Sequence, residues 1–381
     1  MTNWVPAEVF PPGDFLREEL EERGWSQTDF AAILDRSVGM VNDLLVAKRT
    51  ITPETAQRLS AALGTTPEYW LNLEAAYQLS KIGSHSKEAI GRRASVYSYA
   101  PVKEMSKRGW IAVSDDPAVL EARVLRFFGT SSVAEEPQPF RHAARKASSY
   151  GAPLTRAQLA WLARAAQIAK SMPIGRYSTS KLDQAIENLK LLLEHPEEIR
   201  HVPRILGEAG IRFVVIEGLP SNKVDGAVLW IDENPTVVLS LRFDRIDNFW
   251  FVLFHELGHV RAGDDLIDID LTPSDQSSDR PEAEIAADRF AQDHLMPQSR
   301  LDNFVARVKP MYTQLQIEAF ARTLHVHPGL VIGQLHYRRE IPYSSFRKAI
   351  AKVRSIITPV AVTDGWGSVL HIESWSQETT E

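Results

Sequence analysis

Apolar residues recur at helical spacing through the first 80 residues, in short runs separated by polar residues. The run "DFLREELEERGW" predicts a first helix that ends at Gly24. Ser26 and Ser37 each precede a short apolar run, and we expect each to cap the N-terminus of a helix. Two later runs both begin with Thr-Pro, which is typical of a capped helix start. The pattern therefore predicts a compact all-α domain over residues 1–80.

The helical period continues through residues 111–205 and then gives way to strands. The stretches "GIRFVVIEGL", "DGAVLWID" and "PTVVLSL" are short, β-rich and separated by Pro, Gly and Asn, so they predict three strands. The run "DRIDNFWFVLFHELGHVRA" predicts a long helix that ends at Gly263. Residues 264–280 are polar and acidic, which predicts a loop, and two or more helices follow to about residue 355. No internal repeat is visible.

These patterns predict an α+β fold in four parts. An all-α domain at 1–80 precedes a helical connector at 81–205, a domain with a small sheet at 206–355, and a C-terminal tail at 356–381. With 381 residues, the chain is long enough for two or three domains, each with its own core.

Composition narrows the possible chemistry. The chain has 44% apolar residues, 24% charged residues and a formal net charge of −6, and no apolar run is long enough to span a membrane. The N-terminus lacks the basic and apolar regions of a signal peptide, so we expect a cytoplasmic protein with no membrane partner. Because the chain has no cysteine, disulfides and thiolate catalysis are excluded. A metal site can therefore use only His, Asp, Glu and water.

The helix that ends at Gly263 contains a His-Glu-x-x-His motif. His255 and His259 are four residues apart, so on a helix both imidazoles lie on one face and can share a metal ion. Glu256 lies close enough to polarise a water molecule on that ion, which is the arrangement of zinc hydrolases. Gly258 costs the helix up to about 1 kcal/mol. Its place inside the motif indicates that a substrate or another chain segment approaches there.

The motif predicts a Zn²⁺ site whose third ligand comes from the following helix, "EIAADRFAQDHLMP". Glu284 opens this helix, and Asp288, one turn further on, can accept the free ring N–H of a ligand histidine. Glu282 is a competing third ligand. The alternative interpretation is a buried histidine pair whose polar atoms are satisfied by backbone and water.

Together the two helices resemble the ImmA/IrrE family of metallopeptidase-like domains. The family combines the His-Glu-x-x-His motif with a downstream E-x-x-A-[ND]-x-F-A segment that ends near "LMP", and Glu284 begins that segment here. The resemblance covers about residues 200–340. It implies a zinc-dependent, zincin-like domain, which in some members cleaves a helix-turn-helix repressor. His294 stands where an apolar residue is usual, and we expect it to be a surface neighbour rather than a ligand.

The first domain resembles the HigA-type antitoxins of the XRE helix-turn-helix class over residues 10–79, most specifically at "KRTIT" and "LGTTPEYWLNL". The resemblance implies that the helix at residues 37–46 lies in the major groove of operator DNA. Six residues are candidate DNA contacts, namely Asn42 for a base and Gln27, Arg36, Ser37, Lys48 and Arg49 for phosphates.

Charge argues for weak binding to DNA. Residues 1–80 contain six basic and twelve acidic residues, and Val38 and Gly39 offer no hydrogen bond to a base at groove-facing positions. We therefore expect non-specific affinity to be low and sensitive to salt. The alternative interpretation of this domain is a five-helix protein-interaction module that keeps the fold without binding DNA.

Three interpretations of the whole chain follow. We favour a DNA-binding regulator or antitoxin of a toxin–antitoxin or stress-response system that carries its own zinc peptidase-like domain. A second is a zinc metalloprotease that cleaves a separate repressor and uses the first domain for targeting. A third is a non-catalytic metal-bound sensor or docking protein for a toxin. Expected partners are operator DNA, a toxin or repressor, and a second copy of the chain, because such units usually read paired half-sites.

The proposed hydrolysis assigns each residue a role. Glu256 would take a proton from water and pass it to the leaving nitrogen. The residue that stabilises the oxyanion is open among four candidates: His325, His327, Tyr337 and Tyr343.

Overall fold

The computed structural model describes residues 9–81, 84–135, 137, 154–220, 222–264, 267–269 and 281–366. Contacts between residues divide the chain into two compact units, residues 1–92 and 93–381. The first unit encloses one apolar core, and the second encloses two, one on each face of its sheet. Within the described ranges, no helix is both long and apolar enough to cross a membrane.

The first unit contains a bundle of five helices: α1 (Pro12–Arg23), α2 (Gln27–Leu34), α3 (Val38–Leu45), α4 (Pro53–Leu63) and α5 (Pro67–Lys81). Its core contains six fully buried side chains: Leu16, Phe30, Val41, Ala56, Leu59 and Trp70. The caps form where the sequence predicts them. The Ser26 hydroxyl accepts the N–H of Asp29, and the Ser37 hydroxyl accepts the N–H of Met40. The all-α first part of the predicted fold is confirmed.

The helices beyond residue 81 are α6 (Ser84–Tyr99), α7 (Val102–Lys107), α8 (Pro117–Phe128), α9 (Arg156–Ser171), α10 (Thr179–Lys190), α11 (Val202–Glu208), α12 (Ile246–Ala262), α13 (Glu282–Leu295), α14 (Gln298–Val308), α15 (Gln314–Leu324), α16 (Pro328–Tyr337) and α17 (Arg354–Ile357). The strands are β1 (Arg212–Val215), β2 (Val224–Ile231), β3 (Asn234–Leu239), β4 (Ile267–Ile269) and β5 (Val362–Thr363). They form one mixed sheet in the order β4-β2-β3-β1-β5. β1 runs parallel to β3 and β5, whereas β2 runs antiparallel to β3 and β4.

Helices cover both faces of this sheet. Phe213 and Val215 belong to the core that contains α10, α11 and α12, whereas Val214 between them belongs to the core that contains α8 and α9. Because both faces are buried, the strands are almost continuously apolar in sequence. The small sheet predicted from the sequence is confirmed, and β1, β2 and β3 are its three predicted strands.

Two further strands lie where the sequence pattern does not predict them. β4 lies within residues 264–280, where we predict a loop, and β5 lies within the predicted tail. β4 has three residues and β5 has two, which is too short to show a period of two. They form by pairing with β2 and β1 respectively, so the sheet decides their structure. The rest of the predicted loop beyond Asp264 lies outside the described residues.

The long helix α12 is buried on most of its surface. α13, α16, β2 and β3 pack against it, and Trp250, Leu253 and Phe254 are fully buried. A helix enclosed in this way is apolar almost all round, which explains the apolar run before the His-Glu-x-x-His motif. The helix ends at Gly263, which adopts the left-handed conformation with φ 74°, as predicted.

α15 and α16 repeat the local fold of α2 and α3, so the sequence interpretation that found no internal repeat is wrong for this pair of helices. At a constant offset, Phe30, Ala31, Leu34 and Val41 correspond to Phe320, Ala321, Leu324 and Val331. Asp35 and His325 end the first helix of each pair in the left-handed conformation, with φ 54° and 55°. Ile332, at the position that corresponds to Asn42, is buried. The second copy therefore packs in the core of its unit and does not present this position to a DNA groove.

Acid should destabilise the cap of α16. Burial lowers the pKa of His327, whose Nδ1 accepts the N–H of Gly329 at the start of the helix. A histidine whose pKa is lower in the folded state stabilises the fold above its ordinary pKa and loses that contribution as the pH falls. We expect the loss of this contribution to lower the unfolding temperature of the metal-free protein by a few degrees as the pH falls below about 6.5.

The matched variant for this prediction is His327→Asn, which keeps a capping acceptor without titrating. Its unfolding temperature, followed by circular dichroism, should decline less on acidification than that of the wild type. Equal declines in the two proteins would show that His327 contributes nothing to the acid sensitivity.

Candidate metal centre and helix-turn-helix face

Two packed helices bring the three predicted metal ligands together. α12 carries His255 and His259 on one face, and α13 packs against α12 with Glu284 in its first turn. The two Nε2 atoms lie 3.1 Å apart. Oxygens of the Glu284 carboxylate lie 3.4 Å from Nε2 of His255 and 3.6 Å from Nε2 of His259. All three side chains are buried, and their ligand atoms converge on one point.

The spacing of these atoms fits a tetrahedral zinc ion. Bonds of about 2.0–2.1 Å to zinc place neighbouring ligand atoms about 3.3–3.4 Å apart. The three separations in the triad, 3.1, 3.4 and 3.6 Å, lie around this value. A positive charge between two imidazoles and a carboxylate in a buried space would also be favourable. The donor set therefore suits a divalent cation and leaves a fourth position for water.

Carboxylates contact both imidazoles from the side opposite to the triad. Nδ1 of His255 lies 2.9 Å from Oδ1 of Asp288, and Nδ1 of His259 lies 3.4 Å from Oδ2 of Asp264. A carboxylate that accepts the Nδ1–H selects the tautomer whose Nε2 lone pair can bind a metal. The arrangement thus orients both histidines toward the centre of the triad.

Asp264 is a site residue that the sequence analysis misses. It directly follows Gly263, and its N–H donates to the carbonyl of His259. Its own carbonyl accepts the indole N–H of Trp230, a β2 residue, at 2.8 Å. The sequence signal is only an acidic residue immediately after the cap of the motif helix, and such residues are common for other reasons.

Two other sequence candidates lie outside the triad. Glu282, the competing third ligand, is exposed in the first turn of α13, whereas Glu284 is buried beside the histidines. His294 lies in the last turn of α13, where its ring contacts those of Phe254 and Phe290 and its Nδ1 lies 2.8 Å from the carbonyl of Phe290. It is half-buried rather than fully at the surface.

The general-base candidate, Glu256, is buried against the sheet. Its carboxylate lies so close to Gly226 of β2 that a Cβ there would overlap Oε1 of Glu256. Gly258 permits a second close approach, because a Cβ there would lie 3.2 Å from Cα of Ala287 in α13. Glycines thus let both the sheet and α13 approach the motif closely, and the approach expected at Gly258 is confirmed.

The four oxyanion candidates occupy different places. Tyr337 and Tyr343 line a cavity together with Phe251 of α12. His327 caps α16, and His325 is exposed at the end of α15. The tyrosines are the two candidates that share a cavity with a residue of the motif helix.

The first unit exposes five of the six candidate DNA contacts: Gln27, Ser37, Asn42, Lys48 and Arg49. The sixth, Arg36, is half-buried, and its guanidinium pairs with Glu54. Glu54 also lies 3.4 Å from Arg58. A phosphate would therefore compete with a carboxylate for Arg36, which makes this residue a weaker phosphate contact than the sequence suggests.

The exposed face of α3 is mostly apolar. Val38, Asn42 and Val46 follow one another at intervals of four residues, so they lie along one side of the helix and its C-cap. The two valines are 44% and 47% exposed. No atom lies within 4 Å of the position of a Cβ on Gly39, so the start of this face is open.

Two segments of the chain match known families. Residues 16–70 match the family described as helix-turn-helix, and residues 208–332 match the family described as IrrE N-terminal-like domain. The second match contains both histidines and the glutamate of the triad.

Curated relatives and a solved structure match the first unit. The HTH-type transcriptional regulator YddM of Escherichia coli (strain K12) is 37% identical over 70 residues, which are 18% of this chain and 74% of YddM. Virulence-associated protein I of Dichelobacter nodosus is 38% identical over 89 residues, 23% of this chain and 80% of that protein. The structure of Pseudomonas aeruginosa antitoxin HigA with the higBA promoter is 31% identical and covers 22% of this chain and 91% of that chain, with a TM-score of 0.21.

The geometry of the triad predicts how much zinc the wild type and its variants retain. We expect wild-type protein dialysed against zinc to retain about one zinc per chain, because three ligands converge. His255→Ala should retain almost none, whereas His325→Ala, which removes an exposed histidine, should match the wild type. Asp288→Asn should weaken zinc affinity about 10- to 100-fold. Mass spectrometry of the metal checks each value, and equal zinc in wild type and His255→Ala would remove the site.

Proposed function

The chain belongs to the helix-turn-helix family of transcriptional regulators and carries an IrrE N-terminal-like domain, and from this premise we propose that it is an antitoxin-type repressor with its own zinc peptidase. The first unit would bind operator DNA in its own promoter, in a toxin–antitoxin or stress-response system. The second unit would hydrolyse a peptide bond in a repressor or toxin. A homodimer is the expected form, because paired half-sites require two copies of the reading helix.

The observation that carries the hydrolase half is the position of Glu256. A site that only bound metal would need the triad, but it would not need a further buried carboxylate beside it. Here Gly226 leaves space for that carboxylate against β2. This geometry favours a catalytic centre over a sensor that holds metal for structure alone.

His255, His259 and Glu284 would hold the zinc ion, which supplies a Lewis acid that lowers the pKa of water to about 7. Glu256 would accept the proton of the attacking water at its carboxylate and return it to the leaving nitrogen. Asp288 and Asp264 would fix the orientation of the two imidazole rings by accepting the Nδ1–H of each.

The DNA half is supported by the face of α3 and by the family. Asn42 is exposed between two valines, and an asparagine can bond both N6 and N7 of adenine. Val38 and Val46 have no polar atom for a base edge but suit the methyl group of thymine. We propose that this face reads A·T pairs, with Lys48 and Arg49 on neighbouring phosphates.

A second candidate function is a metalloprotease that uses its first unit to recognise a protein partner. The net charge of −6 over residues 1–80 and the pairing of Arg36 with Glu54 favour it, since both weaken attraction to phosphates. The two candidates differ in what the first unit binds, and not in the chemistry of the second.

Replacing thymine by deoxyuridine in the operator removes only the methyl groups. If Val38 and Val46 contact them, each lost contact should weaken binding about threefold to fivefold, since a buried methyl contributes about 0.8 kcal/mol. The double variant Val38→Ala/Val46→Ala should bind both DNAs alike. Gel shifts with a fragment of the protein's own promoter measure this, and equal binding of wild type to both DNAs would contradict methyl readout. If the protein shifts none of the promoter fragments, recognition of a protein partner is the function that remains for the first unit.

Glu256→Gln separates catalysis from metal binding. The variant should retain zinc as the wild type does, because the triad is unchanged, and should lose cleavage by at least about 100-fold without its general base. Wild type and Glu256→Gln are each incubated alone, with helix-turn-helix repressors and with toxins. Gel electrophoresis then detects any cleavage fragment. A fragment produced equally by both proteins would rule out the assigned role of Glu256, and Glu187→Gln, which changes an exposed carboxylate of α10, serves as the active control.

A further inference from the structure

A cavity of about 380 Å³ lies in the second unit beside α12. Its walls include four aromatic rings and two leucines: Phe243, Phe251, Tyr337, Tyr343, Leu295 and Leu330. A largely apolar cavity with a few polar groups is typical of a site for one bulky group of a ligand. The volume is large enough for an aromatic side chain.

The cavity adjoins the candidate metal centre along α12. Phe251 precedes His255 by one turn on the same face of α12, and their rings lie 6.1 Å apart between centroids. A peptide with its scissile bond at the triad would therefore have the cavity within reach of a neighbouring side chain.

One polar group in the cavity wall is unsatisfied. Gln334 is only 6% exposed, and its Oε1 has no hydrogen-bond partner in the part of the chain that the structure describes. Asp247, by contrast, is held by two hydrogen bonds from Arg245, at 3.0 and 2.6 Å. A buried amide without a partner costs free energy that a bound polar group recovers. The cavity thus combines aromatic walls with an amide oxygen, Oε1 of Gln334, that has no partner among the described residues.

We propose that this cavity holds the side chain of a tyrosine next to the bond cleaved at the metal centre. The ring would pack among the aromatic walls, and the phenolic O–H would donate to Oε1 of Gln334. Phenylalanine fits the same walls but leaves the amide unsatisfied, so tyrosine is preferred. This assignment rests on the proposed function, because it takes the triad as the site of cleavage.

Amino-acid hydroxamates test the proposal without relying on turnover, because the hydroxamate binds zinc while the side chain enters the neighbouring cavity. In zinc-loaded protein, tyrosine hydroxamate should bind at least about tenfold more tightly than glycine hydroxamate. It should also bind about threefold to tenfold more tightly than phenylalanine hydroxamate. Isothermal titration calorimetry measures all three, and equal affinities for the three compounds would overturn the proposal.

Two variants identify the residues responsible. Gln334→Leu should remove the preference for tyrosine over phenylalanine and preserve the preference for phenylalanine over glycine. Leu330→Trp, which fills the cavity, should abolish both preferences. Unchanged affinity for glycine hydroxamate shows that each variant keeps a folded metal site. If both variants still prefer tyrosine over phenylalanine and phenylalanine over glycine, the side chain of the hydroxamate binds outside this cavity. If no hydroxamate binds zinc-loaded wild type, the proposed metal centre fails, and this proposal fails with it.

Discussion

The close approach of three buried side chains is the constraint on which the second unit depends. Nε2 of His255, Nε2 of His259 and the Glu284 carboxylate lie within 3.6 Å of one another, away from solvent. A divalent cation shared by these atoms would stabilise such a cluster, and its binding would then be coupled to folding. Holding it also demands a rigid frame. The apolar run before His255 supplies that frame, because it buries α12 under the sheet and against α13.

The neighbourhood of the triad explains several features that look unrelated in sequence. Gly226 lies far from the motif along the chain, yet it is the residue that gives Glu256 room against β2. Gly258 weakens the helix that contains it but lets α13 approach. Asp264 and Asp288 come from opposite sides to bind the outer nitrogens of the two histidines. The first unit has a different surface chemistry, with valines around Asn42 on the face of α3.

The parts that sequence predicts are those with a strong local signal. Ser26, Ser37 and Gly263 mark helix ends by side-chain or backbone chemistry, and the structure places them there. The shared face of His255 and His259 follows from helical spacing. Asp264, β4 and β5 are missed because long-range packing creates them. Two further features also depend on tertiary structure. Arg36 pairs with Glu54, and α15–α16 shares the local fold of α2–α3, which the residue types alone do not show.

X-ray absorption at the zinc edge of the purified full chain shows whether His255, His259 and Glu284 bind zinc. We expect two imidazole nitrogens and a carboxylate oxygen at about 2.0–2.2 Å from the zinc ion, and one further oxygen ligand from water. The signal of the imidazole rings should disappear in protein that lacks both histidines. A spectrum of zinc bound by oxygen ligands alone, in protein with the triad intact, would contradict the account.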